Sequence, residues 1–317
     1  MRVFCSGFNL YGQFINCPTY VVDNFVDYTY DVTHFEPSQT FNVVTTSDGV
    51  YFHGSKCNKT HQVHKLVDDY TLTIKQIKCV DNKILMLLDN GDLFKIDRDT
   101  KELVHVTKNI KKISLGVTIN VAVTNDGRLL NLPHQLEYEG GLIKKVACGR
   151  EHCLILDELG KVYSFGRSSR GQLGHGHLED ELEPKIVEAL DGIKMKMISA
   201  GGWHSCAISE EGDLYVWGWN SNGQLGLNES INVMASPHVV DFDGEMNANV
   251  VDVACGNRHT IALLDDGKVH GCGWNKYSQL GSVIREMNQY KFVLVCDLCN
   301  VSVKKLKCGP WSSLIIS

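Results

Sequence analysis

Three stretches in the second half of the chain share one alternating pattern of apolar and polar positions. They occupy residues 146–174, 198–226 and 253–281 and read VACGREHCLILDELGKVYSFGRSSRGQLG, ISAGGWHSCAISEEGDLYVWGWNSNGQLG and VACGNRHTIALLDDGKVHGCGWNKYSQLG. Each begins with a Gly-x-x-His step, runs through an apolar stretch to a tip that ends in Gly, and returns through a second apolar stretch. Alternation with a period of two is typical of half-buried strands. Each unit therefore predicts a β-hairpin.

Glycines at predicted hairpin tips extend this pattern over the whole chain. A tight hairpin turn needs positive φ, which glycine adopts without strain. The six predicted tips are Gly49, Gly91, Gly127, Gly160, Gly212 and Gly267. The first three hairpins keep the alternation but lose most of the Gly-x-x-His and Gly-Gln-Leu-Gly motifs. The sequence therefore predicts six complete hairpin units.

The two ends of the chain carry complementary halves of one further unit. The C-terminal end, LKCGPWSSLIIS, has the first half, and the N-terminal end, RVFCSGFNLYGQF, has the second. Pairing the last strand with the first would close a ring and remove exposed strand edges. These units predict an all-β fold, a seven-bladed β-propeller with ring closure between its terminal strands. We expect a single propeller over residues 1–317, with degenerate blades at about 15–140 and well-formed repeats at about 142–317.

The three complete units resemble the repeat of the regulator-of-chromosome-condensation family, because each joins Gly-x-x-His, a hairpin and a return ending in Gln-Leu-Gly. The run GQLGHGHLEDELEPKIVEALDGI, with AGGWHSCAIS and CGPW, is similar to a single-propeller member that partners a JmjC-domain 2-oxoglutarate oxygenase. The resemblance implies a non-catalytic adaptor for such a histone demethylase or hydroxylase, acting in chromatin regulation and chromosome segregation. It implies a place in the nucleus, on the chromosome, with some protein in the cytoplasm. It leaves open whether a histone tail also binds through that complex.

Two other functions stay open at this point. Guanine-nucleotide exchange on a Ran-type GTPase is the activity of the family's founding member, where an inserted wedge and a basic tail carry it. Here the chain starts directly on the predicted closing strand, so we rank exchange lower. A substrate-recruiting module in ubiquitination or trafficking would use the same ring, and fold alone does not decide between these functions.

Composition narrows the classes of partner. The chain has 43% hydrophobic and 21% charged residues, which is enough for a buried core. Its net charge of −6 disfavours direct DNA binding, which needs clustered Lys and Arg. Apolar runs fall short of the roughly 20 residues that cross a bilayer, and the N-terminus does not read as a signal sequence, so we expect neither a membrane protein nor a secreted one. We expect a monomer whose 12 cysteines are reduced.

Aromatic and polar residues at the backbone turns are the candidates for partner binding. Aromatic and Arg side chains dominate interface hot spots because they bury large areas with little loss of rotamer freedom. The predicted contact residues are Trp203, Trp219, Asn220, Arg258, Trp274, Asn275, Lys276, Tyr277 and Trp311, and Arg150 lies in a corresponding loop. The four loop tryptophans could equally pack between blades, as we expect Trp217 in the strand YVWG to do.

Histidines recur at one place in three successive units, but equivalent positions of neighbouring blades are too far apart to share one ion. We therefore interpret the motif residues as structural, with each imidazole hydrogen-bonded to nearby backbone. They are Gly149, His152, Gly201, His204, Gly256 and His259. Cys296-x-x-Cys299 lacks the second pair that a zinc site would need.

The sequence contains no nucleophile elbow, P-loop or paired helical histidines. We therefore expect no enzymatic activity, no catalytic residues, no cofactor and no metal. The acidic segment at residues 178–190 is interpreted as a solvated connection between blades, with a steering surface for a basic partner as the alternative.

Overall fold

The computed structural model describes the 317-residue chain apart from 11 positions or short segments. The residues left out are 1, 15–16, 18, 29–31, 48, 55–62, 68–71, 98, 228–230, 243–248 and 299–300; some strand residues from 63 to 67 are described for their backbone only. Cys299 of the Cys-x-x-Cys motif therefore lies outside the described residues.

Twenty-eight strands and one 3-10 turn, at Glu188–Leu190, make up the described structure. In chain order the strands are β1 (Val3–Phe8), β2 (Val21–Asp27), β3 (His34–Pro37), β4 (Asn42–Thr46), β5 (Gly49–His53), β6 (Val63–Val67), β7 (Ile74–Val80), β8 (Lys83–Leu88), β9 (Leu93–Ile96), β10 (Leu103–Thr107), β11 (Ile110–Leu115), β12 (Asn120–Thr124), β13 (Leu129–Asn131), β14 (His134–Gln135), β15 (Ile143–Cys148), β16 (His152–Asp157), β17 (Val162–Gly166), β18 (Glu181–Ile186), β19 (Met195–Ala200), β20 (His204–Ser209), β21 (Leu214–Trp219), β22 (Val233–Val239), β23 (Val250–Cys255), β24 (His259–Leu264), β25 (Lys268–Trp274), β26 (Asn288–Asp297), β27 (Lys305–Gly309) and β28 (Ser312–Ile316). No helix among the described residues is long and apolar enough to cross a membrane.

The strands form seven four-stranded sheets, which are the seven predicted blades. Blades 1 to 6 are β3–β6, β7–β10, β11–β14, β15–β18, β19–β22 and β23–β26. Blade 7 has the order β27-β28-β1-β2, so it takes its two inner strands from the C-terminus and its two outer strands from the N-terminus. β1 pairs antiparallel with β28, with Val3 opposite Ile316. The predicted seven-bladed fold and its ring closure are confirmed.

The hairpin tips follow from the glycines that the sequence places there. All six predicted tip glycines have positive φ, from 84° at Gly160 to 148° at Gly49. A side chain at these angles would be strained, because L-residues rarely adopt this region. The tips therefore set the boundary between the second and third strands in blades 1 to 6.

The hydrophobic core is divided among the contacts between blades. The described residues contain seven buried clusters, and each cluster combines residues of two neighbouring blades. The cluster between blades 4 and 5, for example, joins Leu154 and Val162 to Ile198 and Trp217. Each sheet thus buries both faces, which accounts for the continuous apolar runs in the second strands.

One detail of the sequence interpretation changes. The acidic segment is more than a connection, because residues Glu181–Ile186 form β18, the outermost strand of blade 4. Its charges are largely exposed, and Asp180 forms an ion pair with Arg167 at 2.8 Å. The described cysteines are all free thiols, and those that recur in the inner strands line the central channel: Cys79, Cys148, Cys255 and Cys308.

Candidate protein-interaction site

Four tryptophans of blades 5 to 7 meet on one face of the ring. Trp203 and Trp311 lie on loops between first and second strands, whereas Trp219 and Trp274 end the third strands of their blades. Trp203 and Trp219 are perpendicular, with ring centroids 5.5 Å apart, and the rings of Trp274 and Trp311 are 4.9 Å apart. All four are only partly buried. Loops distant in sequence therefore join into one aromatic surface.

Arginines connect these rings across the boundaries between blades. Arg170 of blade 4 lies 5.2 Å from the ring of Trp203 and 4.5 Å from that of Trp219. Arg258 of blade 6 lies 4.9 Å from Trp219 and 5.7 Å from Trp274. These distances fit cation–π contacts, which have energies of about 0.5–1 kcal/mol each at exposed sites. Arg150 lies 5.5 Å from the ring of Trp203. We call this set the tryptophan–arginine surface; its members are Arg150, Arg170, Trp203, Trp219, Arg258, Trp274 and Trp311.

The surface continues onto blade 7 through Tyr277. This ring contacts Trp274, with centroids 5.4 Å apart, and Phe8 of β1, with centroids 4.9 Å apart. Lys276 is exposed, and its amine lies 5.8 Å from the Tyr277 ring. The predicted contact residues Lys276 and Tyr277 therefore lie at the edge of the tryptophan–arginine surface.

The arginines of this surface have few polar partners among the described residues. The indole of Trp203 donates to Glu151 at 3.4 Å, and Arg258 donates to the amide oxygen of Asn222 at 3.4 Å. Burial, together with the nearby charge of Arg170, lowers the pKa of Arg258. A cationic and aromatic surface of this kind complements a partner with carboxylates and apolar side chains.

Asn220 and Asn275, both predicted contact residues, are buried instead. The side-chain oxygen of Asn220 accepts the amide of Leu225 at 2.8 Å, and that of Asn275 accepts the amide of Leu280 at 2.8 Å. Their amide nitrogens donate to backbone oxygens on the same loops. The prediction for these two residues was wrong because a loop with so many free backbone groups needs an internal polar anchor.

The motif histidines lie between blades, and their partners differ from those predicted. His152, His204 and His259 are fully buried. Each Nε2 contacts a hydroxyl of the following blade instead of nearby backbone, at 2.9 Å for Ser205, 2.9 Å for Thr260 and 3.0 Å for Ser313. We call these contacts the histidine clamps.

The second contact of the hydroxyl fixes the proton positions in two clamps. Ser205 donates to the carbonyl of Gln172 at 2.8 Å, and Thr260 donates to that of Gln224 at 2.7 Å. Because the hydroxyl proton is used in this way, the imidazole Nε2 must be the donor to the oxygen. Burial lowers the pKa of His152 and of His259 to about 3, which keeps both rings neutral.

The motif glycines make room for these rings. A Cβ at Gly149 would lie 2.2 Å from Cε1 of His152, and one at Gly256 would lie 2.0 Å from Cε1 of His259. At Gly201 the distance to Cε1 of His204 would be 2.3 Å. Any larger residue would displace the imidazole, which explains the spacing of the Gly-x-x-His motif.

One cluster of metal-ligating atoms occurs within the described part of the chain. The ligand atoms of His204, Cys206 and Cys255 all lie within 4.8 Å of one another. The two sulfurs are 3.3 Å apart, and Nδ1 of His204 has no hydrogen-bond partner. Two thiols and one imidazole are ligands that Zn²⁺ and Cu⁺ accept. The three histidines themselves do not converge, as the sequence indicated, because each belongs to a different clamp.

The sequence interpretation missed Arg170 and the thiol pair. Arg170 precedes Gly-Gln-Leu-Gly in blade 4, at the position that Tyr277 holds in blade 6, so an alignment of the loops could have identified it. Cys206 and Cys255 are 49 residues apart and meet only through the packing of blades 5 and 6. Trp217 is fully buried and donates from its indole to Gln172, in keeping with the packing role expected for it.

Comparison with known families and proteins gives matches in the second half of the chain. The family described as the regulator of chromosome condensation (RCC1) repeat matches residues 160–208 and 211–263. A second definition of the same repeat matches residues 143–172, 197–224 and 250–279.

Two relatives show how far this similarity extends. The human protein named RCC1 domain-containing protein 1 is 36% identical over 214 residues, which cover 54% of this chain and 55% of that protein. The Arabidopsis thaliana protein named ultraviolet-B receptor UVR8 is 45% identical over 139 residues, 44% of this chain and 31% of that protein. The chain thus spans about half the length of the human relative and less of the plant one.

The fold has close structural counterparts. The crystal structure of human WBSCR16 aligns with a TM-score of 0.83 over 99% of this chain and 98% of that one, at 16% sequence identity. Identity this low supports the shared propeller fold and carries no conclusion on activity.

Proposed function

Because this chain carries regulator of chromosome condensation (RCC1) repeats between residues 143 and 279 and closes as a seven-bladed propeller, we propose that it is a non-catalytic protein-interaction adaptor. The binding site in this proposal is the tryptophan–arginine surface. The observation that carries it is the continuous series of Trp–Arg and edge-to-face Trp–Trp contacts over blades 4 to 7.

Two physical properties favour this surface over the rest of the ring. Trp and Arg are the residue types most enriched in binding hot spots. Their mutual contacts also fix the side chains before a partner arrives, which lowers the entropy lost on association. The loops that bear them are anchored from inside by Asn220 and Asn275, so the surface is rigid.

The partner that we propose is a JmjC-domain 2-oxoglutarate oxygenase in the nucleus, with a histone tail held through that complex. The similarity to human RCC1 domain-containing protein 1 and the resemblance of residues 171–193 support this partner. The charge of the surface adds a requirement, because three arginines and Lys276 call for acidic groups on the partner. In this proposal the ring positions the oxygenase on chromatin and performs no chemistry itself.

Two other functions use the same fold. Guanine-nucleotide exchange would require a Ran-type GTPase to bind the ring, and a ubiquitination module would require a ligase or its substrate. The tryptophan–arginine surface is compatible with protein partners of any of these classes, so the identity of the captured protein separates them.

Affinity purification from nuclear extract, read by mass spectrometry, tests the proposal. The baits are the wild-type chain, Lys276→Glu at the edge of the tryptophan–arginine surface, and Lys194→Glu as a matched control. Both lysines are exposed, so neither change should unfold the ring, and Lys194 lies beside the Gly160 tip at the opposite end of the blade. We expect a JmjC oxygenase with the wild type and the control and much less with Lys276→Glu. Recovery of a Ran-type GTPase or ubiquitin machinery instead would replace the proposed partner.

A further inference from the structure

The central channel of the propeller carries a strong excess of positive charge. A chamber of about 350 Å³ is lined by residues from the first strands of all seven blades, β3, β7, β11, β15, β19, β23 and β27. Its lining includes six lysines, Lys78, Lys112, Lys144, Lys145, Lys305 and Lys307. The only carboxylates among its described lining residues are Glu36 and Asp252. Four positive charges are therefore unbalanced in a chain whose net charge is −6.

Glu36 forms ion pairs with two of the six lysines, Lys78 and Lys307. Its two carboxylate oxygens accept hydrogen bonds from Lys78 and Lys307. Burial alone would raise the pKa of Glu36, but Lys307 and Lys78 together lower it to about 2. Asp252 accepts the backbone amides of Val253 and Leu306, at 2.9 Å and 2.7 Å. Neither carboxylate forms an ion pair with the remaining lysines in the described structure.

Lys112, Lys145 and Lys305 form no ion pair with the residues that the structure describes. Lys112 donates to the backbone carbonyls of Ile143 and Lys144. Lys145 forms no hydrogen bond or ion pair with the described residues, and Lys305 is exposed at the mouth. Burial lowers the pKa of Lys145 to about 8, with Lys305 and Lys78 contributing and Asp252 opposing. Charged amines held close together without counter-ions raise the free energy of the unbound protein. An anion that binds among them would therefore be attracted to several amines at once.

We propose that the channel is a binding site for a small molecule with several phosphate groups, held by Lys112, Lys145 and Lys305. Lys is a common phosphate ligand because its ammonium is a compact point charge with three donors. An excess of four charges matches several phosphates better than one carboxylate. The chamber is small, and the net negative charge of the chain disfavours nucleic acid, so the ligand is a small polyanion. This site is independent of the proposed adaptor surface.

Isothermal titration calorimetry of the full chain with inorganic tripolyphosphate tests the site. The variants are Lys145→Gln/Lys305→Gln and the matched control Lys304→Gln, whose lysine is exposed and lies outside the chamber lining. We expect saturable binding by the wild type and the control, with affinity lower by about tenfold or more in the double variant. Parallel titrations with inositol trisphosphate and ATP distinguish a phosphorylated sugar alcohol from a linear phosphate chain.

Thermal unfolding separates loss of binding from loss of fold. Without ligand, the double variant should melt at or above the wild-type temperature, because it lacks unpaired buried charge. With tripolyphosphate, only the wild type and the control should be stabilised. Near pH 8 binding should take up protons, since the ligand raises the pKa of Lys145, and the double variant should lose this uptake. Equal affinity in all three proteins, or monophosphate binding as tightly as tripolyphosphate, would overturn the proposal.

Discussion

The buried contacts between blades 4 to 7 differ in chemistry from those between blades 1 to 4, although the residues occupy equivalent positions in the blades. In the first group a buried imidazole meets a hydroxyl at the interface, as His204 meets Thr260. The strand register identifies the same two positions in the second group. They hold Phe41 and Ile84 between blades 1 and 2, and Ile119 and Cys153 between blades 3 and 4. Between blades 2 and 3 they hold Lys83 and Asn120, and Lys83 donates to the carbonyl of Val117 at 2.6 Å.

At two of the three interfaces among blades 1 to 4, the imidazole and the hydroxyl are both replaced by groups that pack together. Phe41 and Ile84 belong to one buried cluster, and so do Ile119 and Cys153. Replacing both members of a hydrogen-bonded pair by apolar groups can be nearly neutral, whereas replacing one leaves a buried polar group unpaired. The repeat motif can therefore disappear from the sequence while the ring persists, provided that both sides of an interface change together.

The largest expected effect is in the diverged half. Phe41→Ala should lower the free energy of unfolding by about 3–5 kcal/mol, because it empties a fully buried aromatic site. Chemical denaturation monitored by intrinsic fluorescence measures the change. A loss below that of a single histidine-clamp variant would contradict the assignment of Phe41 as the apolar counterpart of the clamp.

A double-mutant cycle tests the clamp itself. His204→Leu and Thr260→Val should each lower the free energy of unfolding by about 1–3 kcal/mol, because each leaves the other buried polar side chain without its hydrogen-bond partner. Together they should cost less than the sum of the single changes, because the double variant recreates the apolar solution of blades 1 and 2. Additive losses would show that the two side chains do not act as a pair.

Acidification should loosen the two halves unequally. The pKa of His152 and of His259 is about 3 in the folded chain, below the ordinary value of 6.5, so folding favours the neutral rings. Their contribution to stability is full above pH 6.5 and is lost as the pH falls towards 3. Hydrogen exchange should show earlier loss of protection in blades 4 to 7 than in blades 2 and 3. Uniform loss around the ring would contradict this account.

The smallest effect on stability should come from the exposed edge of the tryptophan–arginine surface. Lys276→Glu should change the free energy of unfolding by no more than about 0.5 kcal/mol, as expected for a surface position. The same variant should lose partner binding. A melting temperature well below that of the Lys194→Glu control would show that Lys276 supports the fold.

The local pattern was sufficient for the fold, because hairpin tips and strand alternation are encoded within each unit. Gly160 and the split blade are examples, since the sequence alone predicted both. The site was harder to predict from the sequence, because its contacts join residues of different blades. The hydroxyl partners of His152, His204 and His259 lie 53 to 56 residues away, and no single repeat contains both members. Asn220 was predicted to lie on the surface, because an asparagine that anchors a loop from inside and an exposed loop asparagine occur in the same sequence pattern.

Hydrogen exchange of the chain bound to its captured partner tests the central claim most directly, because it reports on every loop in one experiment. The account predicts new protection in the loops that bear Trp203, Trp219, Trp274 and Trp311 and none at the Gly160, Gly212 and Gly267 tips. Protection at those tips, with the tryptophan loops unchanged, would contradict it.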